Sequence, residues 1–364
     1  MDAHSADLRR LADQVVTARD SSTALEIRGG NTKAFYGGVP RGEILDTRPL
    51  AGISSYEPTE LVVTALAGTP LAELEAALAS RGQCLPFEPP RFGADGTVGG
   101  MVAAGLAGPA RASVGALRDY VLGVSVLNGS GETLTFGGQV MKNVAGYDIS
   151  RVFSGSMGIL GVICEVSLKV MPVTPGCATL VFDIDEGPAL VELSRWAALP
   201  VPLSASAWHR GQLFVRLAGA RSAVDSVRQR LGGTDIDPRT ASDWWQAIRD
   251  HRHPFFCLAP ADLARGECLW RLSVPDTTPP MALPGERLVE WGGAQRWLRT
   301  TAPAAQIRDA VAARGGHATL VRAADKSPGV FTALAQPLMS IHQRLKQSFD
   351  PAGIFNPGRL YAEL

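Results

Sequence analysis

No charge of one sign prevails in this sequence: Lys and Arg together number 35, Asp and Glu together 35, and the formal net charge is +0. A chain without basic excess is a poor candidate for nucleic-acid binding, which runs on released counterions. It equally lacks the polybasic stretches that dock on anionic lipid. Cysteine is scarce and scattered: Cys84, Cys164, Cys177, Cys257 and Cys268 form no C-x-x-C pair. An odd, dispersed set argues against a disulfide framework and against a zinc or iron–sulfur site, so no metal is expected. No apolar run reaches the ~18–20 residues of a transmembrane helix, and no apolar stretch follows Arg9-Arg10 as in an export signal. The expectation is a soluble, cytoplasmic protein without direct membrane insertion.

What is present is a large apolar share, 46% against 19% charged, in 364 residues. That suffices for two domains, or for one large core with an insertion. A net charge near zero also weakens self-repulsion and favours association.

Residues 5–18 have helical periodicity, with Leu8, Leu11, Val15 and Ala18 on one face. Residues 24–28 read as a short strand, Leu61–Ala65 as another, and Pro70–Arg81 as a helix capped by Thr69. Residues 121–127 and 132–136 flank Asn128-Gly129-Ser130-Gly131, a hairpin signal, and 159–170 alternate as a strand. Beyond Pro172 and Pro175 the texture changes. Strand and helix patterns follow at 178–184, 187–198, 212–217, 221–231, 239–250, 267–273, 286–291, 303–314 and 317–322. They predict a separate α+β domain, an antiparallel sheet covered by helices. A last helix is expected at about 333–348.

Glycine (39) and proline (25) are clustered. The clusters are Arg28-Gly29-Gly30-Asn31-Thr32, the stretch 86–109 around F-G-A-D-G-T-V-G-G, and Gly146-Tyr147-Asp148 followed by G-S-M-G-I-L-G at 155–161. Each exposes consecutive backbone N–H groups without Cβ interference, an arrangement that holds phosphates. Several on one domain suggest a ligand longer than a mononucleotide. A Rossmann reading fails, because Gly155, Gly158 and Gly161 are not spaced as G-x-G-x-x-G and precede a strand. No P-loop motif occurs.

In this order, R-G-G-N-T, F-G-A-D-G-T-V-G-G, K-N-V-A-G-Y-D and G-S-M-G-I-L-G-V-I resemble the FAD-binding fold of the vanillyl-alcohol oxidase family. The C-terminal F-D-P-A-G-I-F-N-P-G-R-L resembles the tail that closes that fold over the flavin. The length, with D-W-W-Q at 243–246, H-P-F-F at 253–256, L-W-R-L at 269–272 and E-W-G-G-A at 290–294, is similar to FAD-binding subunits of glycolate oxidases (glycolate dehydrogenases). The resemblance implies an α+β protein: a two-part FAD-binding domain at 1–175 (about 1–55 and 56–175), a small α+β cap at 176–325, and a segment at 326–364 returning to the first domain. It implies FAD held at Arg28, Gly29, Gly30, Asn31, Thr32, Gly93, Asp95, Gly96, Thr97, Val98, Gly99, Gly100, Gly146, Tyr147, Gly158, Ile163 and Asn356. In this reading the N–H groups of 28–32 and 96–100 face the pyrophosphate. Covalent members carry His in the first loop or Cys in the second. Asn31 and Thr32 stand in the first and neither type occurs at 87–109, so noncovalent FAD is expected.

One departure bears on function. The family's hydroxy-acid dehydrogenases carry a His-rich cap motif resembling H-x-G-D-G-N-x-H, which is missing here. His251 and His253 sit beside Arg249 and Arg252, a poor setting for a cation, and His209, His317 and His342 are isolated. Trp270-Arg271, Arg296-Trp297 and Arg299 read either as core aromatics with snorkelling arginines or as a fork for a small carboxylate. Arg271 and Arg296 are the catalytic candidates. The expected function is an FAD subunit of a complex oxidising a 2-hydroxy acid, glycolate by resemblance. A larger homologous flavoprotein and an iron–sulfur subunit would be its partners, which could hold it at the inner membrane. The alternatives are a self-sufficient oxidoreductase and a non-catalytic scaffold.

Overall fold

The computed structural model describes residues 3–138 and 148–364, in two compact units. The first comprises Met1–Leu106, Ala116–Pro172 and Ala333–Leu364, and the second Ala107–Gly115 and Val173–Thr332. The short segment Ala107–Gly115 thus groups with the second unit, which no linear division of the chain would express.

In the first unit, helix Ala3–Asp20 buries Leu11, Val15 and Ala18, one stripe of a 3.6-residue period. That stripe packs on the parallel strands Leu25–Arg28 and Glu43–Asp46. Phe355 of the C-terminal tail adds a bridge to Leu25, so the tail completes this small sheet. Beside it stands an antiparallel sheet in the order Ile53–Glu57, Val62–Leu66, Val162–Lys169, Val121–Leu127, Thr133–Gly137. The 128–131 turn forms because Asn128 Oδ1 accepts the N–H groups of Ser130 and Glu132, both at 2.9 Å, and Gly131 takes φ +82°.

Thr69 does not cap the helix Leu71–Ala79. The cap position falls on Pro70, whose fixed φ suits a helix start, and Thr69 Oγ1 instead accepts Gly52 N at 2.9 Å. Nor is 98–104 a loop. Val98–Ala104 is a helix, capped by Thr97, whose Oγ1 accepts Gly100 N at 3.2 Å, and ended by left-handed Gly105.

The second unit is an eight-stranded antiparallel sheet. Its order is Thr234–Ile236, Gly176–Asp183, Gln212–Gly219, Leu203–His209, Glu286–Glu290, Gln295–Thr300, Cys268–Ser273, His317–Arg322. Two apolar clusters lie on it. One gathers Leu193 and Trp196 of Glu186–Ala197 with Val224 and Val227 of Arg221–Leu231, and the other gathers Ile307 and Val311 of Ala304–Ala312 with Trp270. Among the described residues no helix is long and apolar enough to cross a membrane.

Candidate cofactor site

The strand Leu25–Arg28 ends in the first glycine loop, and the cavity of about 100 Å³ beside it lies within the first unit. Arg28, Gly29, Gly30, Asn31, Thr32, Thr97, Gly100 and Asn356 line it, as do Glu26, Lys33, Met157 and Arg359. Among the described residues, the N–H groups of Gly29, Gly30, Asn31 and Thr32 give no hydrogen bond to the chain. Four adjacent donors free to meet an anion are what a pyrophosphate requires. Three cations and one carboxylate line the same space, and Arg28 Nε and NH2 both bond Glu26 Oε1, at 2.9 and 2.8 Å. The residues present therefore fit the phosphate portion of FAD.

The glycines of this loop are needed for a second reason. A Cβ on Gly29 would stand 2.4 Å from Thr97 Oγ1, and one on Gly30 would overlap Asp95 O at 1.4 Å. The first two glycine clusters thus lie against each other.

The second cluster departs from expectation. The N–H groups of Val98, Gly99 and Gly100 are spent inside the protein, on Thr69 O (3.0 Å), Ala67 O (2.7 Å) and Thr97 Oγ1. They are not presented to a pyrophosphate. Gly99 is glycine because a Cβ would meet Ala67 Cβ at 2.6 Å, a helix-to-strand contact. Gly93, Asp95, Gly96, Val98, Gly99, Gly158 and Ile163 do not line the cavity. Ile163 is buried in its strand opposite Val126. Gly146 and Tyr147 lie outside the described residues.

The third cluster forms a wall through its turn. Gly155 N and Met157 N bond Val102 O and Ala103 O of the neighbouring helix at 3.0 and 2.8 Å. Asn356 joins this turn to the first strand: its Oδ1 accepts Ile27 N at 2.8 Å and its Nδ2 donates to Met157 O at 2.7 Å. Asn31, Met157 and Asn356, all lining the cavity, have φ of +57°, +56° and +40°. Of these three non-glycine residues in the left-handed region two are Asn, the type that enters it most readily.

Lys346 lies behind. Its buried ammonium donates to Ile159 O, Asp350 Oδ2 and Phe355 O at 2.7, 2.7 and 2.8 Å, and burial lowers its pKa. Asp350 in turn accepts Ile354 N and Phe355 N, which shapes the tail. Sequence reading missed Glu26, Lys33, Met157, Arg359 and Lys346 as participants. Only the i,i+4 spacing of Lys346 and Asp350 and the place of Arg359 in N-P-G-R carried a signal.

In the second unit Arg296 is not a substrate group. Its buried guanidinium donates to Gly293 O (3.1 Å), Pro279 O (2.7 Å) and Thr278 O, and desolvation pushes its pKa down. Arg299 pairs with Glu267 at 3.1 Å through both Nε and NH2. Trp270 and Arg271 are successive strand residues and so lie on opposite faces, Trp270 in the core. The aromatic neighbour of Arg271 is its cross-strand partner Trp297, with Thr319 on the other side.

Residues 5–137 match the family model described as "FAD binding domain". Alkyldihydroxyacetonephosphate synthase has a similar fold, with a TM-score of 0.64 at 14% identity over 95% of this chain and 75% of that one. The matched domain and the fold define an FAD-binding protein with a second, α+β unit. Glycolate oxidase subunit GlcE of Escherichia coli (strain K12) is 47% identical over 354 residues, 97% of each chain. The chain belongs to this glycolate oxidase subunit family. Glycolate oxidase subunit GlcD of Bacillus subtilis (strain 168) is 31% identical over 147 residues, 40% of this chain and 31% of that protein. D-lactate dehydrogenase of Archaeoglobus fulgidus is 32% identical over 158 residues, 43% of this chain and 35% of that one.

Proposed function

We propose that this chain works as the noncovalent FAD subunit of a glycolate-oxidising complex, beside a larger homologous flavoprotein and an iron–sulfur subunit. The observation that carries the reading is likeness of two extents: over 97% of the chain with one glycolate oxidase subunit, and over 40% of it with another. FAD, when bound, supplies the hydride- and electron-accepting chemistry. The chain's own residues bind and orient. The Gly29–Thr32 N–H row takes the pyrophosphate charge, Lys33 and Arg28 add to it, and Asn356 holds the floor. On the second unit, Arg271, in register with Trp297 and Thr319, is the group offered to a small carboxylate.

Four of the histidines are engaged within the fold, and burial makes two of them, His251 and His253, weaker bases for a proton abstraction. His251 stacks on Phe256 at 4.1 Å and is held neutral, and His209 bonds Glu286 at 2.9 Å. His253 accepts Phe255 N at 3.3 Å, and His342 bonds Leu338 O at 2.8 Å. Titration of the purified chain with FAD, followed by acid precipitation, tests the reading. Saturable binding with all flavin in the supernatant is expected. A chain that takes up no flavin, or flavin retained in the pellet, would contradict it.

A further inference from the structure

Arg359 is buried among main-chain carbonyls of one loop. Its NH1 donates to Ala34 O at 3.2 Å and to Gly38 O, and its NH2 donates to Lys33 O at 3.2 Å. The backbone reciprocates, Gly38 N donating to Arg359 O at 2.8 Å. The loop is shaped to the tail. A Cβ on Gly38 would stand 2.2 Å from Gly358 O, and one on Gly37, at φ +86°, 2.8 Å from Arg359 O. Residues 33–38 therefore wrap a guanidinium contributed from over 300 residues away. Three carbonyl dipoles turned toward one point repel each other, and a buried cation is what holds them there.

This loop continues directly from the Gly29–Thr32 N–H row, and Lys33 and Ala34 line the cavity. We infer that Arg359 is a positioning residue for the cofactor: by gathering the carbonyls of Lys33, Ala34 and Gly38 it fixes the N–H row and Lys33 in their binding arrangement before FAD arrives. The inference rests on the FAD reading of this cavity. Preorganisation of this kind raises affinity by removing an ordering cost from the binding step. It also explains Gly37-Gly38, which the cofactor itself does not require.

The test compares the full-length chain with Arg359→Met and Gly38→Ala, the latter pushing the loop off the tail from its other side. FAD affinity is read by flavin fluorescence. In the flavin-free state, trypsin cleavage after Lys33 is followed by mass spectrometry. Both variants are expected to bind FAD at least about tenfold more weakly, about 1.4 kcal/mol. Both should be cut after Lys33 before any other Lys or Arg site, under conditions that leave the wild type intact, whereas a general loss of stability would expose those sites together. Should Arg359→Met fail to fold, Gly38→Ala carries the test alone. A folded variant within about twofold of wild-type affinity overturns the inference while leaving the FAD reading intact. A wild-type chain that takes up no FAD overturns the reading on which it rests, and the inference with it.

Discussion

Adjacent glycines in one motif have different reasons for being glycine. Gly99 has its amide on Ala67 O and no room for a Cβ, whereas Gly100 lines the cavity and its Cβ would meet only Thr97 Oγ1, at 3.2 Å. Gly99→Val is therefore expected to destabilise the flavin-free protein by about 1–3 kcal/mol through overpacking. Gly100→Val should keep its urea midpoint and lose FAD affinity. Chemical denaturation and flavin titration of the pair distinguish the two roles, and the opposite assignment of losses would refute the geometry. His251 makes a second residue-scale case. Burial first, then the charges of Arg322 and Arg271, push its imidazole down to about 3. In the unfolded chain it titrates near ~6.5. Above that pH it is neutral in both states and costs nothing. As pH falls from about 6.5 toward about 3 the unfolded state binds a proton that the native state refuses, so stability is lost across that window. His251→Phe should flatten the acid limb of stability against pH. An unchanged slope between pH ~7 and ~5 in urea titrations would show that other groups carry it.

At the scale of elements, the buried pair of Lys346, in the C-terminal helix Gln336–Phe349, and Asp350, just after it, ties the tail to Ile159. Lys346→Met removes the cation that Asp350, Ile159 O and Phe355 O share and leaves a carboxylate buried without its charge partner. The expected cost is about 3–5 kcal/mol. Thermal melting of the flavin-free chain measures it, and a loss below about 1 kcal/mol would mean that water reaches Asp350. The elements legible in the sequence were those with a clean period. The first helix, the strands Leu25–Arg28, Val62–Leu66 and Val162–Lys169, and the 128–131 hairpin were read at nearly their observed positions. Leu203–His209 and Gln295–Thr300 were not. The second was hidden because polar residues, Gln295, Arg296 and Thr300, occupy its buried positions, so its sequence shows neither an apolar run nor an alternation. The helix Val98–Ala104 was hidden because Gly99 and Gly100 read as loop, although glycine is what lets that helix touch Ala67. For the cofactor cavity, the loop at 28–32 was visible in its glycines. Arg359 and Lys346 left only the faint signals of N-P-G-R and of the i,i+4 spacing to Asp350, since most of their partners are backbone carbonyls, which leave no trace in side-chain identity.

For the whole molecule, the question is whether one chain completes a turnover. Oxidation of a 2-hydroxy acid needs a hydride acceptor and a group that takes the hydroxyl proton. In the second unit Arg296 and Arg299 are committed to Thr278, Pro279, Gly293 and Glu267, and burial makes the imidazoles of His251 and His253 harder to protonate. Arg271, always protonated, is no base. Zero net charge and 47% identity along nearly the whole chain to a protein named as a subunit fit a chain that works alongside others. The isolated chain loaded with FAD is therefore expected to stay oxidised when mixed anaerobically with excess glycolate or D-lactate. Reduction should appear on co-expression with the larger homologous flavoprotein and an iron–sulfur subunit, and Arg271→Ala should then raise KM for glycolate while leaving FAD content unchanged. Rapid, complete loss of the flavin's visible absorbance in the isolated chain would make it a self-sufficient enzyme and send the search for a base to its own residues.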